Sequence, residues 1–218
     1  KILEEFYFIP EKDPDKIVNR VTKMVSKNIP DRFGFNPFRD IQVLTPMHRG
    51  ITGSKNLNNR LQDVLNPDGS GFKFREQIFK IGDKLMQQRN NYEKEVFNGD
   101  MRRIISCDTK THEIHVSFDQ GIVRYTAKEI DQLALAYAIS VHKSQGSEYP
   151  ALILPLTTHH YMMLQRNLLY TALTRGKQLV ILIGMEKAVA MAVKNEEART
   201  RHTSLPRHFR EMKELMAL

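Results

Sequence analysis

The sequence predicts an α/β fold in which a parallel sheet is interrupted by a small antiparallel β-barrel. The first 70 residues alternate strand-like and helix-like segments, an order typical of a parallel sheet with crossover helices. Residues 73–130 instead contain short segments with period-2 alternation, after which the α/β pattern resumes. We therefore predict a discontinuous α/β domain, residues 1–72 and 131–218, with a barrel inserted at residues 73–130.

Four elements are predicted in the first part of the chain. Apolar residues predict a strand over residues 1–9, and apolar side chains at helical spacing predict a helix that begins after Pro14 and ends at Pro30. A strand at residues 41–46 and a helix at residues 56–65 follow.

The later part of the chain repeats this order after the insertion. Alternating apolar residues predict strands of the insertion at 113–119 and 122–127. Apolar runs then predict single strands at residues 134–141, 151–156 and 178–184, the last of the kind that is buried on both faces. Between the last two, RNLLYTALTRG predicts a helix closed by Gly176.

Composition narrows the class of protein. The 218 residues carry a net charge of +8, which suits a polyanionic partner such as nucleic acid, although many basic proteins bind none. The single cysteine, Cys107, fits a reducing compartment, so the cytoplasm is expected. No apolar run approaches the roughly 18 residues that span a bilayer, so no membrane association is expected. Because the chain begins at Lys1 without a signal peptide, we expect a piece of a longer protein.

Two common sites are not predicted. A phosphate-binding loop needs Gly, four residues and Gly-Lys-Ser/Thr, whereas in GITGSK, residues 50–55, two residues separate the glycines and Ser precedes Lys. No metal site is expected, because adjacent residues such as His159 and His160 point to opposite sides of a regular strand.

One polar segment interrupts two apolar runs in AYAISVHKSQGSEYPALILPL, residues 136–156. Polar side chains after a strand lie at the sheet edge where α/β proteins bind ligands, and backbone amides around a glycine can approach phosphate. The spacing alone favours a solvated surface loop over a ligand site.

Three separated segments resemble superfamily-1 DNA helicases, most closely the RecD-like group. VHKSQGSEYP followed by RNLLYTALTRGKQLVILIG resembles motifs V and VI of these enzymes. IQVLTPMHRG with LNNRLQDVLNP resembles the motif IV region, and MQQRNNYEKEVFNGD resembles the inserted barrel of the Src-homology-3 type.

The resemblance implies the second of two RecA-like domains, of the P-loop-NTPase type but without its own P-loop. In this family ATP lies between the two domains and single-stranded DNA crosses their tops. The missing first domain would bind most of the ATP and Mg²⁺, and it would be the main partner of this chain. The resemblance also implies an ATP-dependent helicase that moves 5′ to 3′, and no ATPase activity for this chain alone.

The resemblance assigns candidate residues to the nucleotide. Arg175 would be an arginine finger that neutralises charge on the γ-phosphate, and Arg49 a second γ-phosphate contact. Glu148 would accept hydrogen bonds from the ribose, while Gln145 and Gly146 would line the nucleotide side of the same loop. The alternatives are a helix-end charge for Arg175, an exposed surface arginine for Arg49, and a turn charge for Glu148.

The resemblance assigns other residues to the DNA. Ser140 and His142 would contact phosphate and sugar, and Lys143 would supply charge. In the insertion, Asn90 and Asn91 lie in a polar-aromatic stretch that could stack bases, although a solvated barrel surface explains them equally well.

Two other functions remain open from the sequence. The chain could be a nucleic-acid-binding or partner-docking module that has lost catalysis, although such a module needs no arginine finger. It could also be the helicase half of a relaxase or another DNA-transfer protein, which shares these motifs.

Overall fold

A five-stranded parallel sheet forms the centre of the structure, a computed structural model that describes residues 5–118 and 121–195. Residues 1–4 and 196–218 of the predicted α/β domain lie outside the described residues. The strand order is β1-β12-β11-β2-β10, and every pairing is parallel, so the predicted fold class is confirmed. Its strands are β1 (Glu5–Pro10), β2 (Ile41–Thr45), β10 (Ala138–Ser140), β11 (Tyr149–Leu156) and β12 (Gly176–Gly184).

Antiparallel strands occupy the middle of the chain, and we call strands β3 to β9 the insert. A five-stranded sheet has the order β8-β7-β6-β5-β9, and a separate hairpin pairs β3 with β4. The strands are β3 (Gly71–Phe74), β4 (Gln77–Lys80), β5 (Lys84–Gln87), β6 (Met101–Asp108), β7 (Glu113–Phe118), β8 (Gly121–Tyr125) and β9 (Leu133–Leu135).

Helices cover both faces of the parallel sheet. They are α1 (Pro14–Lys23), α2 (Ile29–Phe33), α3 (Ser54–Leu65), α4 (Arg166–Leu173) and α5 (Glu186–Lys194). The strands alternate between two apolar clusters: Ile153 and Ile181 face the cluster that includes α1 and α3, while Leu152 and Val180 face the one that includes α4 and α5. This period of two is the expected geometry of a strand that is buried on both faces.

The prediction that the first helix ends at Pro30 is wrong. A π-helical turn (Met24–Asn28) joins α1 to α2, and Pro30 lies in the first turn of α2. A proline is tolerated there because the first N–H groups of a helix have no intrahelical acceptor. Gly34 ends the helix instead, with the left-handed φ of 73° that glycine adopts without strain.

The single strand predicted over residues 134–141 is also wrong, because the structure contains two strands in different sheets. Strand β9 pairs with β5 of the insert, whereas β10 pairs with β2 of the parallel sheet. Ala136 and Tyr137 cross between them. The predicted helix closure at Gly176 is wrong as well, because α4 ends at Leu173 and Gly176 begins β12.

His160, one of the two adjacent histidines at which no metal site was expected, is deeply buried. It is 2% exposed; its Nδ1 accepts from the Thr157 backbone N–H at 3.4 Å, and its Nε2 lies 2.9 Å from the Thr52 hydroxyl. Since Nδ1 accepts, the neutral ring donates through Nε2 to Thr52. Burial, with a smaller effect of neighbouring His159, lowers the pKa of His160 to about 4.

Acidification should therefore destabilise the protein through His160. Between an unfolded pKa near 6.5 and the folded pKa near 4, only the unfolded chain binds the proton, so stability is lost as the pH falls from 6.5 and the loss levels off below 4. We expect a loss of about 2 kcal/mol at pH 5 relative to pH 7.5. Urea unfolding of wild type and His160→Gln at both pH values measures it.

The neighbouring His159→Gln provides the control, because His159 is exposed. It should keep most of the pH dependence of the wild type, because His159 causes only the smaller part of the pKa shift of His160, whereas His160→Gln should lose most of it. Equal pH dependence in wild type and His160→Gln would contradict the assignment.

Candidate functional site

The register of the parallel strands defines two edges of the sheet. At the amino edge, Ile41 of β2 pairs with Ala151, which pairs with Leu179 of β12. At the carboxyl edge, Thr45 of β2 pairs with Ser140 of β10. Residues 141–148 connect the carboxyl edge of β10 to the amino edge of β11, and we call them the edge-crossing loop. The two ends of this loop therefore lie at opposite edges of the sheet.

The edge-crossing loop is anchored by its apolar and hydroxyl side chains. A 3₁₀-helical turn (Val141–Ser144) buries its first and last residues, and the Ser144 hydroxyl donates to the Val141 carbonyl at 2.7 Å. Two pairs of predicted ligand-binding residues, His142 with Lys143 and Gln145 with Gly146, are exposed. Gly146 has a φ of 83°, which favours glycine at this turn. The loop thus presents its polar groups while its hydrophobic side holds it in place.

Arg175 lies directly against the amino-edge end of this loop. It follows α4, and its half-buried guanidinium donates from Nε to the Thr171 carbonyl at 3.2 Å and from Nη1 to the Ser147 carbonyl at 3.3 Å. The Arg175 carbonyl in turn accepts from the Tyr149 N–H at 2.8 Å. The guanidinium contacts only carbonyl oxygens in these bonds, so its charge is available to an anion at the same surface.

Two further charged residues adjoin Arg175 and its partner Ser147 along the chain. The Lys177 ammonium lies 3.1 Å from a carboxylate oxygen of Glu148, and both side chains are substantially exposed. We call Arg175, Ser147, Glu148 and Lys177 the amino-edge cluster. It combines two cations with one carboxylate, a set that can contact phosphate and also accept from a hydroxyl group.

Arg49 does not lie beside Arg175. It follows β2 at the carboxyl edge, is exposed, and precedes Gly50 with a φ of 95°. A five-residue strand separates the two edges by roughly 16 Å. The loop that carries Arg49 is tight, because a Cβ at Gly53 would lie 2.4 Å from the Arg49 carbonyl oxygen. The two arginines that were predicted to contact the same γ-phosphate are thus on opposite edges in this chain.

A groove of about 390 Å³ lies at the carboxyl edge between the parallel sheet and the insert. Its polar lining includes Ser140, Lys143, His48, Lys55 and Gln88, and we call it the carboxyl-edge groove. The Lys143 ammonium donates to the Gln88 side-chain oxygen, and although the residue as a whole is exposed, partial desolvation of the ammonium lowers the pKa of Lys143. His48, Lys55 and Gln88 were not predicted as site residues, because they come from separate elements that the sequence alone does not bring together.

Asn90 and Asn91 have different environments in the insert. Asn90 is exposed; its amide lies 3.3 Å from the Tyr92 hydroxyl and its Oδ1 accepts from the Asn98 N–H at 2.9 Å. Asn91 is half-buried, and its Oδ1 accepts from the Lys94 N–H at 3.1 Å. Tyr92 is 76% exposed, so Asn90 and Tyr92 are both accessible, as is the neighbouring Arg89.

The described residues, 5–118 and 121–195, contain no group of three His, Cys, Asp or Glu side chains that could hold a metal ion, and none of their helices is long and apolar enough to cross a membrane.

The amino-edge cluster fits contacts to a nucleotide's phosphate and hydroxyl groups. It offers only one carboxylate, which is poorly suited to holding Mg²⁺ unaided.

Comparisons with known families divide the chain in two. Residues 57–118 match the ATP-dependent RecD-like DNA helicase SH3 domain, and residues 135–183 match the UvrD-like helicase C-terminal domain. The second match contains the edge-crossing loop and Arg175, and the first contains most of the insert.

Similar proteins come from several sources. The chain is 36% identical over 170 residues to the ATP-dependent RecD2 DNA helicase of Deinococcus radiodurans, covering 78% of this chain and 23% of that protein. It is 31% identical over 157 residues to the RecBCD enzyme subunit RecD of Buchnera aphidicola, covering 69% of this chain and 25% of that protein. The fold is similar to the crystal structure of Pif1 helicase from Bacteroides in complex with ADP-AlF3 and ssDNA, with a TM-score of 0.51 and 16% identity over 90% of this chain and 50% of that chain.

The chain spans about a quarter of the length of these two curated relatives. One domain match and both relatives are RecD-like by description, and the second domain match is to a helicase C-terminal domain. The chain therefore belongs to the RecD-like superfamily-1 DNA helicases.

Proposed function

We propose that this chain is the second RecA-like domain, with its inserted barrel, of an ATP-dependent DNA helicase that moves 5′ to 3′. The observation that supports this most directly is the edge-crossing loop, which contacts Arg175 at one edge of the sheet and begins beside Ser140 at the other. In the proposed enzyme, the amino edge faces ATP and the carboxyl edge faces the DNA strand. The direction of movement is taken from the resemblance to RecD-like helicases.

The amino-edge cluster would complete a nucleotide site whose phosphate-binding loop lies in another domain. The 218 residues contain no phosphate-binding loop sequence, so this domain can supply only one wall of such a site. Arg175 would exchange its bond to the Ser147 carbonyl for a charge-assisted bond to the γ-phosphate, which is the stronger of the two. Glu148 would accept from the ribose, and Gln145 and Gly146 would line the same side. ATP and Mg²⁺ would be held mainly by the first RecA-like domain.

The carboxyl-edge groove would hold the single-stranded DNA. Ser140 and His142 would donate to phosphate and sugar, and the Lys143 ammonium would add charge at the groove's mouth. We assign Arg49 to this face as well, because it follows β2 at the carboxyl edge. Asn90 would extend the surface onto the insert. A strand bound here would be held mainly through its backbone, so its affinity would depend on salt more than on sequence.

Arg175→Ala in the complete helicase should reduce strand-stimulated ATP hydrolysis by about 10³-fold or more, because a finger stabilises charge that develops in the transition state. ATP binding, measured by equilibrium titration with a fluorescent nucleotide, should change little. Arg175→Lys should also be strongly impaired, since an ammonium cannot reproduce the planar fork of a guanidinium.

Arg124→Ala is the matched control for this experiment. Arg124 is an exposed arginine on β8 that pairs with Glu113 on the surface of the insert. Its loss should leave turnover within about twofold of the wild type, since an exposed pair contributes little. Turnover near normal in Arg175→Ala would remove the finger assignment.

Lys143→Ala should weaken binding of single-stranded DNA and lower its salt dependence. Removal of one phosphate-neutralising ammonium should reduce the slope of log K against log salt by about 0.7. Fluorescence anisotropy of a labelled oligothymidine over a series of salt concentrations measures both. Lys110→Ala, an exposed lysine between β6 and β7, should leave the slope unchanged. An unaltered slope in Lys143→Ala would contradict a phosphate contact.

A further inference from the structure

The crossing between the insert and the parallel sheet, residues 135–138, is held by side chains of other elements. Backbone groups that leave one sheet before they enter another lose their ladder partners, and buried backbone groups require replacements. Asn58 of α3 supplies two donations, to the Leu135 carbonyl at 3.2 Å and the Ala138 carbonyl at 2.8 Å, and its Oδ1 accepts from the Ala138 N–H at 2.8 Å. The crossing is thus bonded to a helix of the parallel-sheet layer.

Gln42 of β2 bonds to the same crossing from the parallel sheet. Its amide nitrogen lies 3.1 Å from the Ala136 carbonyl and 3.2 Å from the Tyr137 carbonyl. Its side-chain oxygen accepts from the Lys84 ammonium of β5 at 2.9 Å. Lys84 is buried, and burial lowers the pKa of its ammonium group to about 8. Gln42 therefore connects the parallel sheet, the crossing and the insert through one side chain.

Asp83, immediately before β5, is the centre of the third connection. It is fully buried and accepts four hydrogen bonds: from Gln62 at 2.6 Å, Asn66 at 2.7 Å, the Lys80 N–H at 2.7 Å and the Tyr137 hydroxyl at 2.9 Å. Burial raises the pKa of the Asp83 carboxyl, and the four donors oppose that shift. One carboxylate therefore joins α3, the β3–β4 hairpin, β5 and the crossing.

These bonds leave the insert little freedom to rotate against the parallel sheet. Rotation would break hydrogen bonds to groups that water cannot reach, and each such loss carries a desolvation cost. The residue after β5, Gln88, holds Lys143 of the carboxyl-edge groove, so the same strand places an insert residue at the groove. The orientation of the insert therefore fixes where Asn90 lies relative to Ser140.

We propose that Asp83 and Tyr137 are positioning residues that hold the insert at a fixed angle to β10, so that the insert and the carboxyl edge bind one DNA strand as a single surface. The proposal rests on the proposed function for its ligand, a single-stranded nucleic acid. Neither residue touches the strand. By fixing the angle of the insert, they let the insert and the carboxyl edge contact the backbone of one DNA strand at the same time. More phosphates are then neutralised together.

Tyr137→Phe tests the proposal with the loss of one hydroxyl, and Tyr125→Phe is its matched control. Both tyrosines are buried, and each donates one 2.9 Å hydrogen bond, Tyr137 to Asp83 and Tyr125 to Gln87 within the insert. Both variants should lose similar thermal stability. Only Tyr137→Phe should weaken the binding of single-stranded DNA. It should also reduce the slope of log K against log salt by about 0.7 for each phosphate that the protein no longer neutralises.

A second measurement reports the angle of the insert without DNA. Spin labels at Lys16→Cys on α1 and Ile122→Cys on β8, both exposed positions, in a Cys107→Ser background give a distance distribution by double electron-electron resonance. The distribution should broaden in Tyr137→Phe and stay as in wild type in Tyr125→Phe. Asp83→Asn, which replaces an acceptor with a donor, should broaden it further.

The outcomes separate this proposal from the proposed function. If Tyr137→Phe matches Tyr125→Phe in distance distribution and in salt slope, the positioning role is overturned. A broadened distribution with an unchanged slope also overturns it, because the insert would then not share the strand. If the wild-type protein binds no single-stranded DNA, the proposed function is overturned instead. The distance distributions would still decide whether Asp83 and Tyr137 fix the angle of the insert.

Discussion

Strand β5 exposes neither face to water, since Leu85 belongs to the apolar cluster that the insert shares with α1 and α3, while Met86 packs in the other cluster with Leu44 and Ile139. Successive side chains of a strand point to opposite faces, so a one-residue slip of β5 would exchange these two environments. It would move Leu85 into the cluster of Leu44 and Ile139, and it would take the Lys84 ammonium away from its acceptors on Ile41 and Gln42. The register of one four-residue strand therefore determines how the two sheets meet.

Polar bonds at the same junction make it specific as well as stable. An apolar interface alone tolerates small rotations, because its contacts are not directional. Asp83, Lys84 and Gln42 are buried groups whose hydrogen bonds have narrow geometry, and an unsatisfied buried polar group is costly. The packing of Leu85 and Met86 in the two apolar clusters supplies the attraction between the sheets, and these three polar side chains select one arrangement. The insert is consequently a fixed part of the carboxyl-edge surface.

The sequence predicted the strands of the parallel sheet well and the junctions poorly, for a physical reason. Periodicity reports burial, so continuous apolar runs such as β11 and β12 were recognised, but residues 134–139 are apolar throughout and gave no sign that the chain changes sheets at Ala136. Roles for Arg175, Glu148 and Ser140 came from motif resemblance. Gln88 and Lys55 were missed because their place in the groove depends on how β5 and α3 pack, which no local pattern encodes.

Both ends of the edge-crossing loop are fixed within this chain. This limits how a bound nucleotide could move a bound DNA strand. Ser140 is paired to Thr45 at one end, and the Tyr149 N–H is bonded to the Arg175 carbonyl at the other, with Val141 and Ser144 buried between them. A force on the Arg175 guanidinium cannot displace Ser140 alone, because Val141 and Ser144 hold the loop between them against the core. Under the proposed function, closure on a nucleotide must therefore move the sheet, the loop and the insert together as one body, which is the hinge type of domain motion.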